Sequence, residues 1–241
     1  SIVPAPAGRG DVARGIEGFP PEETRAWIET ALRRLGPRFD FTPEMLTHER
    51  PVDLATGAFL EGNENSWSQT QTRATLTPYL TRALEILKAA GVDANGFTSP
   101  WSFGKQVEEE YVAAIAEAQR AVHGRDDTWY FLHTFDRVGP VRPWVARRDE
   151  WGRVVSIPSS VPDLWWQAID DPAADPAGIA AEAEAHAVAV AAAGGIPTVL
   201  THWQSLFSNG LETGLRAMDE FGRRIAARGG FEWVRCSELA A

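Results

Sequence analysis

Apolar residues recur at three- and four-residue intervals along several long stretches of the chain, and short unbroken apolar runs stand between them. The first spacing is that of amphipathic helices, the second that of buried strands. A helix is predicted after Pro20-Pro21, with Glu22 and Glu23 in its first turn. Trp27, Ile28, Ala31, Leu32 and Leu35 form its apolar stripe, and Gly36-Pro37 stops it. A second is predicted after Thr77-Pro78, with Leu80, Ala83, Leu84 and Leu87 on one face up to Gly91. A third covers Lys105 to Val122, a fourth Ala177 to Ala193, and a fifth Leu211 to Ala227 with Leu211, Leu215, Met218, Phe221 and Ile225 inward.

Strands are predicted at Ser1 to Val3, around Met45 to Thr47, and at Gly96 to Thr98, Trp129 to Leu132, Val154 to Ile157, Thr198 to Thr201 and Phe231 to Val234. Strand and helix alternate, so the expected class is α/β: a distorted, TIM-like (β/α) barrel of about seven parallel strands. No low-complexity linker or repeat divides residues 1–241, which read as one domain. The stretches 50–72 and 136–152 are long for connections and are candidate functional loops. Ser1-Ile2-Val3-Pro4 reads as the end of a buried strand, so an upstream first strand is expected.

Composition narrows the partners. Lys and Arg number 23 against 33 Asp and Glu, a net charge of −10, with no basic run to meet phosphates. Nucleic acid is therefore not an expected partner. No apolar run approaches the roughly 18 residues that cross a bilayer, since Glu182, Glu184 and His186 interrupt the Ala-rich segment. A lone Cys236 excludes an intramolecular disulfide and a Cys-based zinc cluster. Cytosol and periplasm both stay open, with the cytoplasm as the working expectation.

In a parallel barrel the chemistry sits where strands end. Thr47-His48-Glu49, Thr98-Ser99-Pro100-Trp101, His133-Thr134-Phe135-Asp136, Pro162-Asp163-Leu164-Trp165-Trp166 and Thr201-His202-Trp203-Gln204 follow strand candidates. His202 in such a place can ligate metal or move protons. His48, with Glu49 and Asp53 nearby, can contribute to a divalent site. His133 has Asp136 close by to orient it, His123 reads as a helix-end charge partner, and His186 reads as solvated. Of ten Trp, Trp67, Trp101, Trp151, Trp165, Trp166 and Trp203 fall in loops or strand ends, where rings stack on sugar faces. Leu60 to Trp67 adds Glu61, Glu64, two Asn and an indole, a set suited to a hydroxyl-rich ligand. Nucleotide-binding glycine motifs, Gly-x-Ser-x-Gly and His-Glu-x-x-His are absent from the sequence.

The order of these motifs resembles the polysaccharide deacetylase family, carbohydrate esterases built on a distorted (β/α) barrel, over roughly Thr42 to Leu239. Thr198-Val199-Leu200-Thr201-His202 is similar to the family's Leu-x-His motif, and the segment from Met218 to Leu239 to its typical ending. Gly96 to Trp101 resembles the family's Arg-x-Pro-Tyr wall, and Pro162 to Trp166 its Asp-Trp wall. The resemblance implies hydrolysis of a carbohydrate or related amide or ester with His202 as general acid. It implies a divalent ion, zinc or similar, at His48 and His202, with Trp101, Trp166, Trp203, Trp67 and Ser99 binding substrate. Asp163 and Glu64 join His202 as candidate catalytic residues. The chain departs from the family where Val52 replaces the second His of His-x-x-x-His, where Thr98 replaces an Arg, and where the first-strand Asp pair is missing. Thr134-Phe135-Asp136 copies that motif out of order and reads as coincidence. Two other readings are a non-catalytic carbohydrate-binding barrel and a metal-free hydrolase using carboxylates drawn from Glu49, Glu61, Glu64 and Asp163.

Overall fold

The computed structural model describes residues 1–135, 137–171 and 173–241. In chain order the elements are β1 (Gly10–Asp11), β2 (Gly15–Ile16), α1 (Pro21–Leu35), α2 (Glu64–Ser68), α3 (Arg73–Ala89), β3 (Gly96–Thr98) and α4 (Glu108–His123). They continue with β4 (Asp127–Phe131), β5 (Trp144–Asp149), β6 (Gly152–Ser156), α5 (Gln167–Asp170), α6 (Pro176–Ala192), α7 (Trp203–Phe207), α8 (Thr213–Arg228) and α9 (Cys236–Ala240). Short 3₁₀ turns join several of them. The chain divides into two compact units, one of Ser1–Leu132, Trp144–Ile157 and Arg235–Ala241, the other of His133–Pro143 and Pro158–Val234. Among the described residues no helix is long and apolar enough to cross a membrane.

The first unit is built on α3, α4 and a sheet of order β3-β4-β6-β5. Leu80, Ala83, Leu84 and Leu87 of α3 and Tyr111, Ile115 and Ala118 of α4 are fully buried, each large one contributing about 1.5–3 kcal/mol. β3, β4 and β6 run parallel, with Phe97 beside Tyr130 and Trp129 beside Val155. β5 closes the edge antiparallel to β6. Gly96 is required here, because a Cβ would lie 2.4 Å from the Trp129 indole. In the second unit α6 and α8 pack through Ala180, Ala183, Ala187, Ala217, Phe221 and Ile225 around Trp165. Its alanines let two helices approach closely, and Glu184 links them through Arg224 and Arg228.

Three expectations are corrected. The closed barrel of about seven parallel strands does not form: the strands make a two-stranded antiparallel ribbon and an open four-stranded mixed sheet. Around Ile2, Pro43, Glu44 and Val199 the expected strands shrink to single parallel bridges. Met45 and His48 take left-handed φ angles of 51° and 59°, which no strand accommodates. Trp233 and Val234 stay exposed instead of forming a last strand, while 136–152, expected to be irregular, contains β5. Second, α3 starts at Arg73 and carries Pro78 inside, because Thr72 and Thr75 form a capping box ahead of it. Third, Leu211 and Leu215 face solvent, and the buried stripe of α8 is Ala217, Phe221 and Ile225. The α1 stripe likewise buries only Ile28.

Candidate functional site

His202 is delivered by pairing and by a helix start. Leu200 N–H bonds the Val161 carbonyl, which keeps the approach extended, and His202 at φ −121° and ψ 152° is the residue from which α7 begins. Its own N–H reaches Ser205 Oγ at 3.4 Å. Gly214 lets α8 lie against α7, since a Cβ there would sit 2.0 Å from the Ser205 carbonyl. Ser208, Asn209 and Glu212 between the two helices all have positive φ, a local strain of the kind that collects at functional sites.

His202 Nδ1 lies 2.7 Å from Asp163 Oδ2. The Asp163 side chain is 9% exposed and the His202 side chain 46% exposed. Ser205 Oγ, itself buried, approaches the same Oδ2 at 3.4 Å, while Oδ1 is buried without a hydrogen bond. An Nδ1–H donated to the carboxylate orients the ring and leaves Nε2 as the position that can exchange a proton. Among the described residues no hydrogen bond engages that Nε2. The Trp166 ring stands edge-on to the imidazole at 5.6 Å and 86°. Trp166 is 41% and Trp203 70% exposed, so two indoles border a reachable, carboxylate-backed histidine.

In the first unit His48 Nε2 bonds Glu44 Oε1 at 3.0 Å, and the ring meets Trp101 edge-on at 4.4 Å. The hydrogen bond that its ring N–H donates to Glu44 holds His48 above the ordinary imidazole range, against the opposing effect of burial. Burial works to raise the Glu44 carboxyl, but bonds from His48 and the Ser1 hydroxyl outweigh it and leave it below its ordinary value. His48, Trp101 and Ser102 all have left-handed φ. Glu64 is buried, accepting from the Leu46, Thr47 and His48 amides and the Tyr79 hydroxyl. Burial raises its carboxyl despite those four bonds.

No family model, curated protein or solved structure matches the chain.

The remaining expected residues divide between roles. Trp101 is exposed beside His48. Trp67 instead packs on Tyr79 at 4.6 Å and faces Phe103, and Ser99 is buried with its hydroxyl 2.8 Å from that of Tyr111. Glu49 and Glu61 are exposed, and Asp53 caps its own turn at Ala55 and Thr56. His133 stacks on Phe135, and Asp136 lies outside the described residues. His123 Nδ1 lies 3.2 Å from the Asp93 carboxylate with its side chain 6% exposed, and His186 bonds the Ser160 carbonyl at 2.9 Å. Sequence reading named neither Glu44 nor Tyr79. Glu44 was open to detection as a carboxylate four residues before His48, whereas nothing local signals Tyr79.

A resident divalent ion needs three or four protein donors. Among the described residues no three His, Cys, Asp or Glu side chains are grouped to hold one. His48 spends Nε2 on Glu44, whereas His202 pairs through Nδ1 alone and keeps Nε2 open. Among the described residues no donor set for the implied metal is therefore assembled, and the groups placed to move a proton are His202 and Asp163.

Proposed function

We propose that the protein is a hydrolase that removes an acyl group, as amide or ester, from a carbohydrate or related small molecule, the reaction of the polysaccharide deacetylases that its sequence motifs resemble. The observation that carries this reading is the 2.7 Å bond between His202 Nδ1 and a nearly buried Asp163 carboxylate. In hydrolysis, water adds to the acyl carbonyl carbon as His202 Nε2 takes the proton that the water loses, and the same Nε2–H then protonates the departing amine or alcohol as the acyl bond breaks and the free acid leaves, with Asp163 holding the ring in the orientation that both transfers need. Trp166 and Trp203 offer apolar faces on which a pyranose ring stacks. The identity of the acyl group belongs to experiment.

The test is acetate release from a panel of N- and O-acetylated sugars by the wild-type protein and by His202→Ala. Turnover that disappears in a folded His202→Ala variant supports the reading, and undiminished turnover overturns it. Elemental analysis alongside decides the metal: an equivalent of zinc lost on His48→Ala/His202→Ala would restore the metal site implied by the resemblance. A second reading, a non-catalytic carbohydrate-binding protein, draws on the exposure of Trp101, Trp166 and Trp203. Its signature is saturable sugar binding, seen as indole fluorescence change, with no product formed.

A further inference from the structure

We propose that Glu64 is a positioning residue, whose carboxylate builds the turn that delivers His48 to Glu44 and Trp101. Oε1 accepts the Leu46 and Thr47 amides at 3.1 and 2.9 Å and the Tyr79 hydroxyl at 2.7 Å, while Oε2 accepts the His48 amide at 2.9 Å. Consecutive amides converging on one anion form a nest of the sort that binds free carboxylate or phosphate. Here the protein's own side chain fills it.

The Leu46 and Thr47 carbonyls accept from the Ala5 and Ala7 amides at 2.8 and 3.0 Å, and the Thr47 hydroxyl donates to the Arg50 carbonyl at 2.7 Å, but among the described residues the Leu46, Thr47 and His48 amides have no acceptor other than Glu64. The turn's flanking residues Met45 and His48 are non-glycine residues at left-handed φ, a conformation that persists only when surroundings impose it. Glu64 N–H also bonds the Glu49 carbonyl at 2.7 Å, and Asn63 caps α2 through Ser66 N–H, so the carboxylate projects from an anchored helix start. Among the described residues no cation forms an ion pair with Glu64, although it is 1% exposed. A buried charge that no cation contacts directly is costly unless its hydrogen bonds are complete. Only a two-oxygen acceptor completes them, because a glutamine amide nitrogen at Oε2 would face the His48 N–H donor to donor.

This inference goes beyond the hydrolase reading and stands without it, since its readout is in the free protein. Amide hydrogen exchange of the full chain is compared for wild type, Glu64→Gln and Glu64→Asp, with the NMR cross-relaxation between the His48 ring and the Trp101 indole. In Glu64→Gln the Leu46, Thr47 and His48 amides are expected to lose protection about tenfold or more. The His48–Trp101 signal weakens while α3 and α4 amides keep their protection, and Glu64→Asp falls between. Unchanged amides and an unchanged ring contact in folded Glu64→Gln would overturn the proposal. Should that variant fail to fold, Tyr79→Phe decides: it leaves three amides on the carboxylate, so the ring contact is expected to persist. Loss of that contact in Tyr79→Phe would assign the turn to Tyr79 and overturn the role of Glu64.

Discussion

His48 and His202 have the same neighbours in kind, a carboxylate and an indole edge, and differ in how each is held. Glu44 lies four residues before His48, and the imidazole spends Nε2 on it, in a turn fixed by Glu64. Asp163 lies 39 residues before His202, takes Nδ1, and leaves Nε2 toward a half-exposed surface. The first arrangement fixes a ring in place. The second keeps a ring oriented yet reachable, which is what proton transfer to a bound molecule requires.

The largest expected effect that tests this contrast is on turnover. Asp163→Asn is expected to lower the rate of the proposed hydrolysis by about 10²–10⁴-fold, whereas Glu44→Gln lowers it by much less. Equal losses in steady-state assays would erase the distinction between the two histidines. Next in size is the support beneath them. Phe221, buried against Trp165 at 5.6 Å, anchors α8, and Phe221→Ala is expected to cost about 3–5 kcal/mol in denaturant unfolding. Leu215→Ala on the exposed face of the same helix stays within about 0.5 kcal/mol. A large loss at Leu215 would return that side chain to the core.

A third histidine gives a smaller, pH-dependent control. Burial, followed by the charge of Arg125, lowers the His123 pKa below its ordinary value of 6.5. Its folded state therefore prefers the neutral ring, with Nδ1 3.2 Å from the Asp93 carboxylate and a buried Nε2 that has no hydrogen-bond partner among the described residues. The associated stability is present above pH 6.5 and is lost as pH falls through the depressed value. Melting temperatures from pH 7.5 down to 5 should decline for wild type, and less steeply for His123→Leu. Parallel curves would remove His123 as the source. The smallest effect is on His48, whose imidazole pKa should fall toward 6.5 in Glu44→Gln by NMR titration.

What could be read from the sequence followed the range of the forces involved. Helix boundaries were close, as for α1 at Pro21–Leu35, because proline, acidic first turns and glycine stops act locally. Pro78 misled, since the Thr72–Thr75 cap lies upstream of it. Sheet closure was not legible: whether Val199 joins a strand or a single bridge depends on partners distant in sequence. Among site residues, His202 and Asp163 were both named from their positions, but their pairing across 39 residues was not. Glu64 was read as a possible catalytic carboxylate from an acidic, amide-rich segment, and its burial among four donors depends on Tyr79 and on the 46–48 turn.

The most direct test of the central claim is chemical rescue at position 202. His202→Gly should fold, lose acyl hydrolysis of the best acetylated sugar, and regain a measurable part of it when free imidazole is supplied, because the imidazole side is open to solvent and Asp163 remains to orient the guest. Rescue that disappears again in His202→Gly/Asp163→Asn would establish the pair as the proton-transfer unit. Full activity in His202→Gly without imidazole would contradict the account.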